Sequence, residues 1–420
     1  MKILVIGSGG REHALVWAIK KSPKVDDVYC MPGNPGTSEI AINVDMSIKD
    51  VDAIADWCVS NAIDLTVVGP EAPLVEGIVD TFEKRGIPVF GPSKDAARLE
   101  GSKVFAKNFL QKYSIPTASH ASFSDAKDAM DFIKTQKIPI VIKVDGLAAG
   151  KGVFICLNID EVKQALDKIF VEKFFGEAGT KIVVEEYMEG EEISIFALCD
   201  GKDALIMNPS RDHKRIFDND KGPNTGGMGA YSPVPDISPD LMKNIEENIV
   251  QPTLRGMEEE GYPYKGVLFV GIMLTSEGSK VLEYNIRFGD PEAQVILPLL
   301  KTDVLEVFEK CIEGKVLDLD LNWKNEYAVC LVLTSKGYPD NPSLGSIIRI
   351  DEKIKKDPEV LIFHAGTSFD GPEYITSGGR VLNIVVYGKT LANASEKLYS
   401  KVSLVSFDGM HYRKDIGVKS

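Results

Sequence analysis

Lys280-Val-Leu-Glu-Tyr-Asn-Ile-Arg-Phe-Gly-Asp-Pro-Glu292 is the stretch around which the 420-residue chain is organised. It predicts a strand in which Leu282, Tyr284 and Ile286 alternate with Glu283, Asn285 and Arg287, and side chains two apart on a strand share a face. One face is apolar and packs. The other carries a carboxylate, an amide oxygen and a guanidinium in a row about 13 Å long, at roughly 3.3 Å per residue. Oxygen donors of the first two kinds suit Mg²⁺, which keeps waters and substrate phosphates as its remaining ligands. The guanidinium suits a phosphate oxygen. Glu-x-Asn-x-Arg alone reads equally as an amphipathic edge strand with its charges in solvent; the attached turn Phe288-Gly-Asp-Pro-Glu292 tips the reading toward a site.

A chain of this length holds two to four domains. Its 44% hydrophobic and 26% charged composition is that of an ordinary globular protein. Ile3-Leu-Val-Ile6 is too short for the apolar core of a signal peptide, and no apolar run approaches the ~20 residues of a membrane span. The six cysteines are scattered without a Cys-x-x-Cys pair, which argues for a reducing cytoplasm and against a metal knuckle. A net charge of −14 disfavours non-specific binding to nucleic acid or anionic membranes. Phosphate ligands must then be held locally.

Residues 1–102 repeat one pattern: strand-like runs at Lys2–Ile6, near Val28, at Asp64–Val68 and at Pro88–Phe90, each closed by a glycine turn. Helical stretches between them predict an open parallel α/β sheet, with ligands beyond the carboxyl ends of its strands. Gly7-Ser-Gly-Gly-Arg-Glu-His13 offers free N–H groups to an anion at a helix start. A nicotinamide-nucleotide fingerprint is disfavoured, because Glu12 stands at its third glycine and no ribose acid closes the second strand; a plain tight turn stays open.

In residues 103–325, Lys103 opens a helix, and Ile138–Lys143 and the run to Val153 read as strand, glycine loop and strand. Gly146-Leu-Ala-Ala-Gly-Lys151 is one residue short of a Walker A loop and lacks its hydroxyl, leaving a loop that carries Lys151 over phosphates. Lys181–Ser194 reads as two strands joined by a short crossing segment, on which backbone groups can read an adenine; its acids read alone as a solvated hairpin. Asn208–Asp236 lacks periodicity and is rich in turn formers, with Asp212-His-Lys-Arg215 and Gly222-Pro-Asn-Thr-Gly-Gly-Met-Gly-Ala-Tyr-Ser-Pro233. A loop this long is usually functional or disordered, and Phe217, Met228 and Tyr231 argue against disorder. Residues 326–420 predict a small α+β domain without a catalytic constellation, from which Ser377-Gly-Gly-Arg380 reaches toward the first domain.

Taken together, Leu-Glu-Tyr-Asn-x-Arg-Phe-Gly-Asp-Pro-Glu, the lysine strand with its glycine loop, the crossing segment, the Asp-His-Lys-Arg/Gly-Pro-Asn-Thr-Gly-Gly-Met-Gly loop and the closing Phe407–Gly417 resemble, in order, the phosphoribosylamine–glycine ligase family of the ATP-grasp superfamily. The resemblance implies a pre-ATP-grasp α/β domain (1–102), an ATP-grasp domain (103–325) with a mobile lid subdomain at about 120–190, and a C-terminal α+β domain (326–420). It implies ATP-dependent ligation of glycine to 5-phosphoribosylamine through a glycyl phosphate, in de novo purine synthesis, by a cytoplasmic monomer or weak homo-oligomer. By resemblance, Glu283 and Asn285 hold Mg²⁺ or Mn²⁺, and Arg287, Lys143 and Asp290 serve the chemistry. Lys103, Lys143, Lys151, the Glu185-Glu186-Tyr187-Met188 hinge and Glu192 hold ATP. Gly9, Gly10 and Arg11 lie at the sugar phosphate, Asn34 and Glu71 nearer the sugar, and Asp212, Gly226, Gly227, Met228 and Asp290 around glycine. One departure stands out: Val267–Leu274, the neighbouring strand, has no second metal carboxylate. A sibling ligase for another carboxylate and amine, and a catalytically silent nucleotide-binding regulator, are the alternatives to this activity.

Overall fold

A computed structural model describes residues 1–148 and 151–418, so the centre of the predicted lid loop, residues 149 and 150, lies outside the described residues. The first unit is a five-stranded sheet in the order Ile42–Asn43, Asp27–Pro32, Lys2–Gly7, Leu65–Val68, Val89–Phe90, with every pairing parallel. The strand order reverses between Lys2–Gly7 and Leu65–Val68, the crevice where open α/β sheets bind ligands. Glu12 fills the floor of that crevice. Its Oε2 accepts the Gly9 N–H at 2.6 Å and its Oε1 the Arg11 Nε at 2.6 Å, and a Cβ on Gly69 would fall 2.2 Å from Oε1. The residue that breaks the dinucleotide fingerprint thus occupies the space a pyrophosphate would approach.

Two antiparallel sheets follow. The smaller runs His120–Phe123, Ile182–Glu186, Ile140–Val144, Val153–Cys156 and has its own core of Ile133, Ile142, Val162 and Val184. The larger runs Ala204–Ile206, Glu191–Asp200, Lys265–Thr275, Gly278–Asn285. Residues 187–190 cross from one sheet to the other, as the sequence predicts. The strand Gly278–Asn285 departs from simple alternation. Gly271 pairs with Glu283 and Ile272 with Val281, so Leu282 is an extra residue in a β-bulge. Val281, Tyr284 and Ile286 enter the core while Leu282 lines the cavity. The predicted packing role of Leu282 is therefore corrected: a bulge moves a residue off the face that strict alternation assigns it.

The 208–236 stretch is corrected too. It contains the strands Arg211–Asp212, Arg215–Phe217, Lys221–Asn224 and Gly229–Ser232. Each is too short to show a period of two, and the last is held by Tyr327–Thr334, far along the chain. Arg211–Asp212, Gly229–Ser232, Tyr327–Thr334, Arg380–Gly388 and Val360–His364 form the C-terminal sheet in that order, while Arg215–Phe217 and Lys221–Asn224 pair only with each other as a hairpin. One core joins Leu4 and Ile6 to Ile193, Tyr284 and Ile286; a second joins Val5 to Phe288, Cys330 and Val385. The crevice of the first sheet, the strand Gly278–Asn285 and the C-terminal sheet are thereby fixed relative to one another. Among the described residues, no helix is long and apolar enough to cross a membrane.

Candidate active site

Where these sheets meet, a cavity of about 860 Å³ opens, within the range of small-molecule sites. The bulged strand delivers Glu283, Asn285 and Arg287 to its wall. Burial alone would raise the Glu283 carboxyl, but Lys214, Lys143, Lys103 and Arg287 bring it down to about 2. It is an anion in a nest of cations. Arg287 is fixed rather than free: Nε lies 3.2 Å from Glu71 Oε2, Nη2 3.0 Å from Glu100 Oε1, and Nη1 donates to the Phe288 carbonyl at 3.2 Å. Glu100 also accepts the Ile286 N–H at 2.8 Å, pinning the strand end.

The lysines come from other elements of the cavity lining. Ser102 caps the helix Lys103–Lys112 and, through Asp145, ties its start to the end of the lysine strand. Lys103 and Lys107, one turn apart, face the cavity. Lys143 Nζ lies 3.0 Å from Glu185 and donates to the Leu282 carbonyl at 3.2 Å, so the bulged residue also anchors the lysine. Lys107 pairs with the same Glu185 at 3.0 Å. Lys214 pairs with Glu192 and lies 3.6 Å from Glu283. Burial lowers its pKa, yet Glu192, Glu283 and Asp212 hold it above an ordinary lysine.

At the far end, Asp290 Oδ2 lies 3.5 Å from Arg380 and accepts the Arg11 N–H at 3.4 Å, and its Oδ1 accepts from Gln294 at 2.7 Å. Arg380 also donates at 2.5 Å to the Gly226 and Asp290 carbonyls. Asp212 and Glu292 line the cavity between the two ends. Burial first, and for Asp212 the charge of Glu292 second, pushes both carboxyls up.

Arg11, Glu71, Lys103, Lys143, Glu185, Glu186, Tyr187, Met188, Glu192, Asp212, Gly226, Glu283, Asn285, Arg287 and Asp290 all line this one cavity. The Arg11 guanidinium is buried and donates to Glu12 and to the Phe288 carbonyl at 3.1 Å. Asn34 is a joint, its amide nitrogen donating to the Ser8 and His364 carbonyls at 2.8 and 2.9 Å and its oxygen accepting the Thr37 N–H. Lys151 is exposed and lies outside the lining; Gly9, the buried Gly10 and Gly227, and the core residue Met228 also lie outside it. Lys107, Lys214, Glu100 and Glu292 join the site without having been singled out. Lys107 had a signal, its four-residue spacing from Lys103; Glu100 had none.

Glu283 and Asn285 fit a hard divalent cation. The carboxylate is held ionised, and among the described residues no group of three His, Cys, Asp or Glu converges on a metal, so most ligands would come from phosphates and water.

Comparison with known proteins agrees with this architecture. Residues 1–100, 101–293 and 328–419 match the N, ATP-grasp (A) and C domains of phosphoribosylglycinamide synthetase. The phosphoribosylamine–glycine ligase of Caldanaerobacter subterraneus subsp. tengcongensis is 48% identical over 416 residues, 99% of each chain. The crystal structure of the Thermotoga maritima phosphoribosylamine–glycine ligase superposes with a TM-score of 0.86 at 37% identity, covering 99% of this chain and 100% of that one. The biotin carboxylase domain of Hydrogenobacter thermophilus 2-oxoglutarate carboxylase, solved with MgADP and bicarbonate, shares the fold at a TM-score of 0.77 and 17% identity over 97% of this chain and 91% of that one. Matched in order through all three parts and aligned end to end with its relatives, the chain belongs to the phosphoribosylglycinamide synthetase family of ATP-grasp ligases.

Proposed function

We infer that this enzyme joins glycine to 5-phosphoribosylamine with ATP, giving glycinamide ribonucleotide, ADP and phosphate. The observation that carries the reading is the continuity of one cavity, from the crossing segment at Tyr187–Met188, past Glu283, Asn285 and Arg287, to Arg11 and Arg380. ATP sits at the first end, its adenine against residues 186–188, its ribose at Glu192 and its phosphates toward Lys103, Lys143 and Arg287. Glu283 and Asn285 would hold Mg²⁺ (or Mn²⁺), which would supply charge neutralisation for the transferring phosphoryl group. The glycine carboxylate attacks the γ-phosphorus, ADP leaves, and a glycyl phosphate forms. The amine of phosphoribosylamine, presented from the Gly9-Gly10-Arg11 end, then attacks the carbonyl and expels phosphate. Positioning and charge carry this chemistry, so no protein nucleophile is required.

Asp212 and Glu292 suit glycine's ammonium better than Asp290, whose carboxylate already meets Arg380, Gln294 and Arg11. Two carboxyls pushed up by burial gain most from a cation between them. We place the enzyme in the cytoplasm, in keeping with six buried, unpaired cysteines, acting on small molecules as a monomer or weak homo-oligomer.

Phosphate release should require ATP, glycine and 5-phosphoribosylamine together, the amine being generated in place from ribose 5-phosphate and ammonia. The nucleotide product should be ADP. AMP as product, or full activity with alanine replacing glycine, would overturn the assignment.

A further inference from the structure

His411, Arg413 and Asp415 lie outside the cavity lining, yet all three engage the hairpin formed by Arg215–Phe217 and Lys221–Asn224. Arg413 is a fully buried guanidinium, 1% exposed. It donates to the Arg215 carbonyl at 3.1 Å and to Asp220 Oδ1 at 2.6 Å, and its fork meets both Asp415 oxygens at 2.7 and 2.6 Å. Asp415 Oδ2 in turn accepts the Asn219 N–H at 2.8 Å. Asp218 accepts the Lys414 N–H at 2.8 Å, and His411 Nε2 lies 2.9 Å from the Ile216 carbonyl. A two-stranded ribbon this short is not stable by itself, and its turn runs through left-handed residues, Asn219 at φ 59° and Asp220 at φ 51°. Its position is therefore set by what grips it.

The hairpin has a payload. Lys214, immediately before its first strand, pairs with Glu192 and lies 3.6 Å from Glu283, and Arg215, Asp220 and Asn224 line the cavity. We propose that Arg413 is a positioning residue for nucleotide binding: it fixes the hairpin, and so Lys214, against Glu192 and Glu283 before ATP enters. This rests on the reading that ATP occupies that end of the cavity. A free hairpin would leave Lys214 and the lining residues to be ordered by the nucleotide itself, which weakens apparent affinity.

The test compares Arg413→Met, Arg413→Lys and Asp218→Ala with wild type by hydrogen exchange of the 213–225 peptide and by steady-state kinetics. Asp218→Ala removes only an acceptor at the hairpin turn, so it serves if Arg413→Met does not fold. The hairpin should exchange faster in all three, and KM for ATP should rise about tenfold in Arg413→Met while KM for the amine stays within about twofold. Arg413→Lys, which keeps charge but loses the fork, should fall between. Unchanged hairpin exchange would overturn the proposal, as would faster exchange with every KM unchanged. Faster exchange with the KM shift in the amine would support the brace and refute instead the placement of ATP at this end.

Discussion

Two buried lysines share one acid at Glu185. The resemblance gives that residue to the adenine hinge, but its carboxylate is taken up by Lys143 and Lys107, each at 3.0 Å. Burial outweighs that attraction at Lys107 and lowers its pKa to about 8 from the 10.5 of a free lysine. Above about pH 8 the native state sheds this proton while the unfolded chain retains it, so Lys107 makes stability rise with pH between its folded and unfolded values. Replacing Glu185 by Gln leaves two buried ammonium groups facing a neutral amide. Breaking a buried pair in this way costs about 3–5 kcal/mol. Lys107, no longer held charged, titrates lower, so the window of rising stability opens lower on the pH scale than in wild type. Urea midpoints of Glu185→Gln measured across neutral to alkaline pH should be low at neutrality and climb earlier than those of wild type. Midpoints that match wild type throughout would mean that Glu185 does not hold these lysines.

Among the elements, the Gly226-Gly227 loop proposed for glycine has a constraint that the sequence shows only as a run of glycines. Gly227 sits at φ +113°, and a Cβ there would fall 2.5 Å from Pro291 Cδ and 2.9 Å from Asp212 Oδ1. Gly227→Ala therefore strains the backbone and pushes on one of the two carboxylates proposed for glycine's ammonium. Strain of this kind is of order 1–3 kcal/mol, and kcat/KM for glycine should fall roughly tenfold or more, with KM for ATP unchanged. A variant with normal glycine kinetics would remove the loop from the glycine site. Elements of this protein were legible in proportion to how local their causes are. Parallel strands ending in glycine turns, the crossing segment at 187–190 and the helix beginning at Lys103 all follow from near neighbours. The bulge at Leu282 shows only in the register against Gly271 and Ile272 of the facing strand, and the strand at 229–232 is held between Tyr327–Thr334 and the strand at 211–212. Glu100 reaches Arg287 and Ile286 from a separate helix. No pattern within one stretch encodes such partners.

At the scale of the whole molecule, the C-terminal sheet has no catalytic constellation and still enters the site. Its Arg380 bonds the carbonyls of Gly226 and Asp290 and lies 3.5 Å from the Asp290 carboxylate. Asp290 in turn accepts the N–H of Arg11, and a Cβ on Gly9 would come 3.1 Å from its Oδ2. Asn383 of the same strand lies so close to Gly10 that a Cβ there would fall 2.3 Å from its amide nitrogen. One guanidinium thus locks the Gly226 loop and the turn after Gly278–Asn285 beside the glycine turn of the first sheet, the end of the cavity proposed for phosphoribosylamine. Arg380→Met keeps much of the side-chain length and removes the charge and every donor. Hydrogen bonds to or from charged groups contribute about 1.5–3 kcal/mol, so the amine's kcat/KM should fall roughly 10- to 100-fold. ATP should still bind normally, because Lys103, Lys143 and Glu192 lie at the other end of the cavity. Equilibrium binding of a non-hydrolysable ATP analogue, set beside kinetics in which the amine is varied, separates the two ends. A loss of nucleotide affinity equal to the loss in amine kcat/KM would show that Arg380 supports the cavity as a whole. A loss confined to the amine would make the C-terminal sheet a working wall of the phosphoribosylamine site.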